Sequence, residues 1–185
     1  MLAKKIKPLI GEQAYLEMEQ ISKIRHEYVD GHVYAMTGSS LAHNKIAMNI
    51  GSALHQQVKG TPCDVYMSDV KLKIAEKNSY YYPDLMLACS REENDYFLTQ
   101  PCLIIEVLSK STAATDKREK FVAYQQINSL REYVLVSQYS QKIERYHRLD
   151  EHGLWHLTVY EKGDTVEFSC IEFELSMADI YAGVL

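Results

Sequence analysis

The sequence predicts a single mixed α/β domain, and three observations carry that prediction. Helical periodicity is confined to a few segments, strand patterns fill the stretches between them, and two carboxylates interrupt apolar β-type runs. With 46% hydrophobic and 24% charged residues, the 185-residue chain has the composition of a globular protein with one well-buried core. No repeat, low-complexity tract or linker divides it, so residues 1–185 are expected to fold as one unit.

Taken in order, Gly11 to Arg25 places Tyr15, Leu16, Met18 and Ile21 at helical spacing and predicts an N-terminal helix. Glu27-Tyr28-Val29 and His32 to Met36 flank Asp30-Gly31, which signals a β-hairpin with a type I′ turn. Ser40 to Lys59 predicts a second helix with Ile46, Ile50, Ala53, Leu54 and Val58 inward, ending near Gly60-Thr61-Pro62. Strands are then predicted over 65–67, 70–74, 80–87 and 102–108; Val70, Leu72 and Ile74 alternate with Lys71 and Lys73. A charged connection, Cys89 to Gln100, separates the last two. A third helix is predicted over 114–127, with Phe121, Tyr124 and Ile127 on its buried side. Strands over 132–137, 142–148, 155–160 and 166–168 and a short helix over 177–181 complete the chain.

The two interrupting carboxylates are Asp84, after Pro83, and Glu106, within Leu103-Ile104-Ile105-Glu106-Val107-Leu108. Alternation puts Ile104, Glu106 and Leu108 on one strand face and Leu103, Ile105 and Val107 on the other. Both faces are otherwise apolar, as in a central strand covered on both sides. A buried lone carboxylate costs several kcal/mol unless it is paired or binds a cation. Pro83 marks a start or bend of its strand, where Asp84 could emerge beside Glu106. Two such carboxylates with a backbone carbonyl would suit Mg²⁺ or Mn²⁺, which can activate water at a phosphodiester. The competing reading makes Asp84 a turn residue and pairs Glu106 with a core lysine or arginine.

Tyr82-Pro83-Asp84, Ile104-Ile105-Glu106-Val107-Leu108-Ser109, Thr115-Asp116 through Lys120 to Tyr124, and Arg131-Glu132-Tyr133-Val134-Leu135-Val136 together resemble the Uma2 family. Its members are assigned as endonucleases of the PD-(D/E)XK superfamily. The resemblance extends upstream through Glu27 to Gly31 and the Ser39 to Ile46 region containing His43. It implies a restriction-endonuclease-like core, a mixed sheet flanked by helices, and Mg²⁺- or Mn²⁺-dependent hydrolysis of DNA. Asp84 and Glu106 match the two motif acids, the Val107 carbonyl would complete the coordination, and Glu27 matches a further acid. The motif lysine is replaced by Leu108. Lys120 on the following helix, where the family carries a lysine, is the expected substitute. Asp116 and Tyr124 share its face, and an exposed Asp-Lys surface pair is the alternative. Lys73, with Lys71, is a lesser candidate for the same role. His43 could touch the site edge, although an exposed first-turn position is the simpler expectation. The superfamily's habit of working as dimers implies a homo-oligomer. A catalytically silent, nuclease-like binding module is the competing function.

Other signals narrow the field. The formal net charge of −5 disfavours non-specific coating of nucleic acid without excluding a nuclease. Lys110, Lys117, Arg118 and Lys120 form a local basic group that could attract phosphate or simply be solvated. Cys63, Cys89, Cys102 and Cys170 are widely spaced without a C-x-x-C pair, so reduced thiols in a cytoplasmic protein are expected rather than a disulfide or zinc ribbon. The basic start Met1 to Pro8 lacks a signal-peptide core, and no run is long enough for a membrane span. His152 and His156 straddle Gly153 in a turn and make a poor zinc pair. No nucleotide-cradling glycine loop is present, and Ser109 and Ser111 lack a triad histidine motif. The fourteen tyrosines read mostly as core and edge packing.

Overall fold

The computed structural model describes residues 9–92, 94–110, 113–149 and 153–185. Met1 to Pro8, Ser111 and His152 lie outside them. The elements in chain order begin with α1 (Glu12–Ile21), β1 (His26–Val29), β2 (His32–Ala35), α2 (Leu41–Val58), β3 (Asp64–Met67) and β4 (Lys71–Ile74). Next come β5 (Ser79–Tyr81), β6 (Leu85–Ala88), β7 (Phe97–Leu98) and β8 (Leu103–Leu108). A helical segment then runs from α3 (Ala113–Thr115) through a π-helical turn (Asp116–Lys120) into α4 (Phe121–Tyr124). The chain ends with β9 (Glu132–Ser137), β10 (Lys142–Arg148), β11 (Trp155–Glu161), β12 (Thr165–Phe168), β13 (Phe173–Ser176) and α5 (Met177–Ile180).

These strands form a six-stranded sheet in the order β11-β10-β9-β8-β6-β3, a five-stranded sheet in the order β2-β1-β5-β4-β7, and the β12-β13 hairpin. The larger sheet is mixed: β8 and β9 are parallel, and its other pairs are antiparallel. One face packs Leu85, Leu87, Leu103, Ile105, Val107 and Val134 against Ile46, Ile50, Leu54 and Val58 of α2. The other packs Met86, Ile104, Leu108, Tyr133 and Leu135 against Tyr124 of α4 and Leu72, Ile74 and Tyr81 of the smaller sheet. The predicted mixed α/β class with sheets flanked by helices is therefore the observed one.

Local chemistry explains the element limits. The Ser40 hydroxyl accepts from the His43 N–H and caps α2. Asp30 and Gly31 both have positive φ (45° and 88°), as the type I′ hairpin turn demands. Gly51 lets α2 lie close to the sheet, since a Cβ there would meet Leu85 Cδ2 at 3.0 Å. Seven tyrosines, Tyr15, Tyr28, Tyr80, Tyr81, Tyr124, Tyr133 and Tyr181, rank among the largest fully buried side chains, so packing explains half of that residue type.

Several expectations need correction. The predicted strand over 80–87 is two strands in different sheets, broken at Tyr82-Pro83-Asp84. Proline cannot donate to a ladder, so pairing stops where the chain crosses between sheets. The helix predicted to Ile127 ends at Tyr124 and contains the π-helical turn. Strands β7 and β13 were not expected; both are short and β7 has only two residues. Finally, Cys63 and Cys89 are joined in a disulfide. Asp64 pairs with Ala88 in the β3-β6 ladder, and this register brings the two flanking cysteines together. Sequence spacing of 26 residues does not reveal that proximity, and the expectation of reduced thiols fails for this pair.

Candidate active site

The break at Pro83 delivers Asp84 to the rim of the central strands. Leu85 pairs with Ile105 across β6 and β8, so Asp84 falls opposite Glu106. The Val107 N–H donates to Asp84 Oδ2 at 2.7 Å, which ties the side chain to the β8 backbone. Glu106 points from the opposite face of β8 to that of Val107, toward the π-helical turn, with only 4% of its surface exposed.

A lysine meets it there. Lys120 Nζ donates to Glu106 Oε1 at 3.0 Å, and the Tyr124 hydroxyl donates to the same oxygen at 3.0 Å. Lys120 also lies 3.0 Å from Glu27 Oε1, on β1, and 3.3 Å from Asp116 Oδ1, one turn earlier. The Tyr133 hydroxyl donates to the Asp116 carbonyl and fixes that turn on β9. Lys117, Arg118 and Glu119 are exposed, whereas Asp116 and Lys120 are 1% and 5% exposed. The wider π-helical turn thus presents both residues inward, so the alternative of an exposed Asp-Lys pair is overturned.

The electrostatics are unbalanced. Burial pushes the Glu106 carboxyl up to about 8; Lys120 counteracts this, while Asp116, Asp84 and Glu27 add to it. Burial disfavours the charged Lys120, but Glu106, Glu27 and Asp116 more than compensate and hold its pKa well above the ordinary value. Lys120 is therefore a stable ammonium donor. Burial pushes the Tyr124 phenol well above its ordinary range, and Glu106 reinforces this.

His43 projects from the first turn of α2 into the rim, where its Nε2 lies 3.2 Å from Asp84 Oδ2. Its side chain is 13% exposed, which corrects the expectation of an exposed first-turn residue. The cause is the sheet crossing at Pro83, which sets Asp84 under the helix start. Burial alone would lower the His43 pKa, but Asp84 and the Val107 backbone raise it overall.

Lys73 is placed elsewhere. It pairs with Glu12 Oε1 at 2.8 Å and lies over the Tyr80 and Phe97 rings. Lys71 lies over the Tyr82 ring. Leu108, at the motif-lysine position, is buried in the apolar cluster, and its carbonyl accepts from Gln138 Nε2.

Three carboxyl groups thus surround one permanent cation, with Asp84 nearby across the strand, a surplus of oxygen donors of the kind a hard divalent cation takes. Glu27 Oε1 is buried with the Lys120 ammonium 3.0 Å away as its charged neighbour. Among the described residues, no three histidine, cysteine or acidic groups already stand at ion-holding geometry. Lys120 and His43 lie on the oxygens that a cation would share.

Comparison with known proteins assigns the family and the fold. Residues 12–178 match Uma2, described as "Putative restriction endonuclease". The chain belongs to the Uma2 family. The protein slr1290 of Synechocystis sp. is 34% identical over 179 residues, covering 96% of this chain and 94% of its own. A second Synechocystis protein, sll1609, is 32% identical over 160 residues, covering 84% and 90%. The fold matches a crystal structure described as a "putative nuclease belonging to DUF820" from Anabaena variabilis, with TM-score 0.78 and 18% identity. That match covers 95% of this chain and 99% of the other. The family supports a nuclease, and the structural match shows the shared fold.

Within this Uma2 chain, two supporting residues escaped the sequence reading. Gln138 accepts from the Ser40 hydroxyl and donates to the Leu108 carbonyl, linking the α2 start to the ends of β8 and β9. The Tyr81 ring lies 5.8 Å from Lys120 Nζ and packs edge-on against Tyr124. Neither lies in a distinctive motif; only tertiary structure brings them to the site.

Proposed function

We propose that this Uma2 protein is a Mg²⁺- or Mn²⁺-dependent endonuclease that hydrolyses phosphodiester bonds in DNA. The observation that carries the reading is Lys120, delivered to Glu106 by a helix in place of the lysine absent at Leu108. Asp84 and Glu106 would hold the cation, with the Val107 carbonyl and Glu27 as further oxygen donors. When bound, the cation would activate water and neutralise charge building on the phosphodiester.

The chain's own residues have narrower tasks. Lys120 is held in its ammonium form, so it donates hydrogen bonds and orients the attacking water or steadies the phosphoryl oxygens. Tyr124 holds Glu106 Oε1. Asp116 and Glu27 position the Lys120 ammonium. His43 guards the Asp84 edge.

A competing reading keeps the same fold as a silent binding module, and the mutual satisfaction of Lys120 and its acids favours it. Supercoiled-plasmid nicking with Mg²⁺ or Mn²⁺ separates the two. The wild type is expected to nick, and Asp84→Asn and Glu106→Gln are expected not to. Equal nicking by all three would sink the nuclease assignment to these residues.

A further inference from the structure

Another cluster of reactive groups sits at the opposite end of β8. Cys102 immediately precedes this strand, and Cys170 lies in the turn between β12 and β13. Both thiols are free. They line a cavity of about 470 Å³ together with Cys89, one half of the disulfide. The Cys102 N–H donates to the Leu87 carbonyl at 2.8 Å, and Leu87 pairs with Leu103. That register sets Cys102 beside the strand end that carries Cys89. All four cysteines pack against the same apolar cluster.

We propose that Cys102 and Cys170 are a redox-active dithiol that exchanges with the Cys63–Cys89 disulfide. The Cys102 thiolate attacks Cys89 Sγ, a Cys89–Cys102 bond forms, the Cys63–Cys89 bond breaks, and Cys63 leaves as a thiolate that takes up a proton. Cys170 loses its proton and attacks Cys102 Sγ. A Cys102–Cys170 bond forms, and Cys89 leaves and is protonated. One disulfide and two thiols exist before and after, so no external oxidant is consumed.

The direction of attack follows from position. Cys89 shares the cavity with Cys102, whereas Cys63 does not line it. The neighbouring Cys170 thiol lowers the Cys102 pKa, with Arg131 assisting, and Cys102 in turn raises that of Cys170. Cys102, set beside Cys89 by the β6-β8 register, is the first nucleophile, and Cys170 resolves the mixed disulfide. The swap would move the cross-link from the β3-β6 edge to the join between central β8 and the β12-β13 hairpin.

The test starts with the purified chain, oxidised with oxidised glutathione to two thiols and transferred to anaerobic, oxidant-free buffer. Alkylation with iodoacetamide followed by non-reducing peptide mapping locates the thiols over time. Wild type is expected to gain alkylated Cys63 and Cys89 together with a Cys102–Cys170 link. The Cys170→Ser chain should trap the Cys89–Cys102 link with Cys63 alkylated. Cys102→Ser should lower Cys63 alkylation by about tenfold or more, since the attacking thiolate is gone. Alkylation confined to Cys102 and Cys170 in the wild type overturns the proposal. Cys63 alkylation undiminished in Cys102→Ser overturns it as well, as does a chain that retains four thiols.

Discussion

Two buried ion clusters lie on neighbouring strands of one sheet, and their chemistry differs. On β8, Lys120 faces Glu106, Glu27 and Asp116, with Asp84 across the strand. On β9 and β10, Arg145 pairs with buried Glu132, through Nε at 3.0 Å and through Nη2, and lies 3.9 Å from exposed Glu167. The Ser169 N–H and hydroxyl complete the second cluster, at 2.9 Å for the N–H to Glu132 Oε1. Glu132 and Arg145 are 1% and 2% exposed, so both clusters bear the cost of desolvation. Inside the second, one buried acid meets one buried cation, and Arg145 Nε and Nη2 converge on Glu132 Oε1, as suits a fixed structural joint. The first carries surplus acid, which a structure built for stability alone has no reason to keep. Burial of charge is common to both; imbalance is what marks the functional candidate.

That contrast can be broken from either side. The largest expected effect is on activity. Asp84→Asn and Glu106→Gln keep size and shape but remove a carboxyl that a cation could bind, and a cation's contribution of several kcal/mol corresponds to a loss of roughly 10²–10⁴-fold in nicking rate. The melting temperature should hardly fall, because relieving acid crowding offsets the lost contacts. A rate within a few-fold of wild type would return the β8 cluster to the structural class.

The balanced cluster should respond in the opposite way. Arg145→Met leaves Glu132 buried and unpaired, at a cost of about 3–5 kcal/mol, which for a chain of this size lowers the melting temperature by roughly 6–20 °C. Correctly folded variant should still nick. Calorimetry together with plasmid nicking checks both halves, and an inactive but fully stable variant would contradict the division of roles.

Adding a cation sharpens the same contrast. Mg²⁺ at about a hundred times its dissociation constant stabilises a folded site by roughly 2.7 kcal/mol, or about 5–10 °C here. The shift should appear in wild type and in Arg145→Met and vanish in Asp84→Asn. An equal shift in all three would place the cation elsewhere.

How much of this was legible in the sequence depends on distance along the chain. The hairpin at Asp30-Gly31, helix α2 and the alternation of β4 are local patterns, and each was read correctly. Glu106 stood out because a charge interrupts an apolar run, and Pro83 announced a bend before Asp84. Lys120 was expected at the site from the family resemblance, whereas the π-helical turn that carries it was not legible in local propensity. The burial of His43 arises from the sheet crossing, the Cys63–Cys89 bond from the β3-β6 register, and the Glu132–Arg145 pair from β9 meeting β10. All three are consequences of tertiary assembly.

The smallest effect belongs to a third ion pair, partly solvated and outside both clusters. Glu12 on α1 accepts from Lys73 at 2.8 Å and from the Tyr80 hydroxyl at 2.6 Å. These contacts, Lys73 first, hold its carboxyl below the ordinary 4.5. A folded-state pKa below the unfolded one contributes stability at neutral pH that is lost as pH falls from about 4.5 through the lowered value. With the side chain 39% exposed, solvent screening limits the contribution to less than about 1 kcal/mol. Glu12→Gln keeps an acceptor for Tyr80 and removes only the charge. The melting-temperature gap to wild type should be a few degrees at most at pH 7 and should close by pH 3. A gap that persists at pH 3 would mean that Glu12 acts through packing. An ion pair can thus be balanced, like Arg145 with Glu132, and still contribute little, because burial sets the scale of the effect while imbalance points to function.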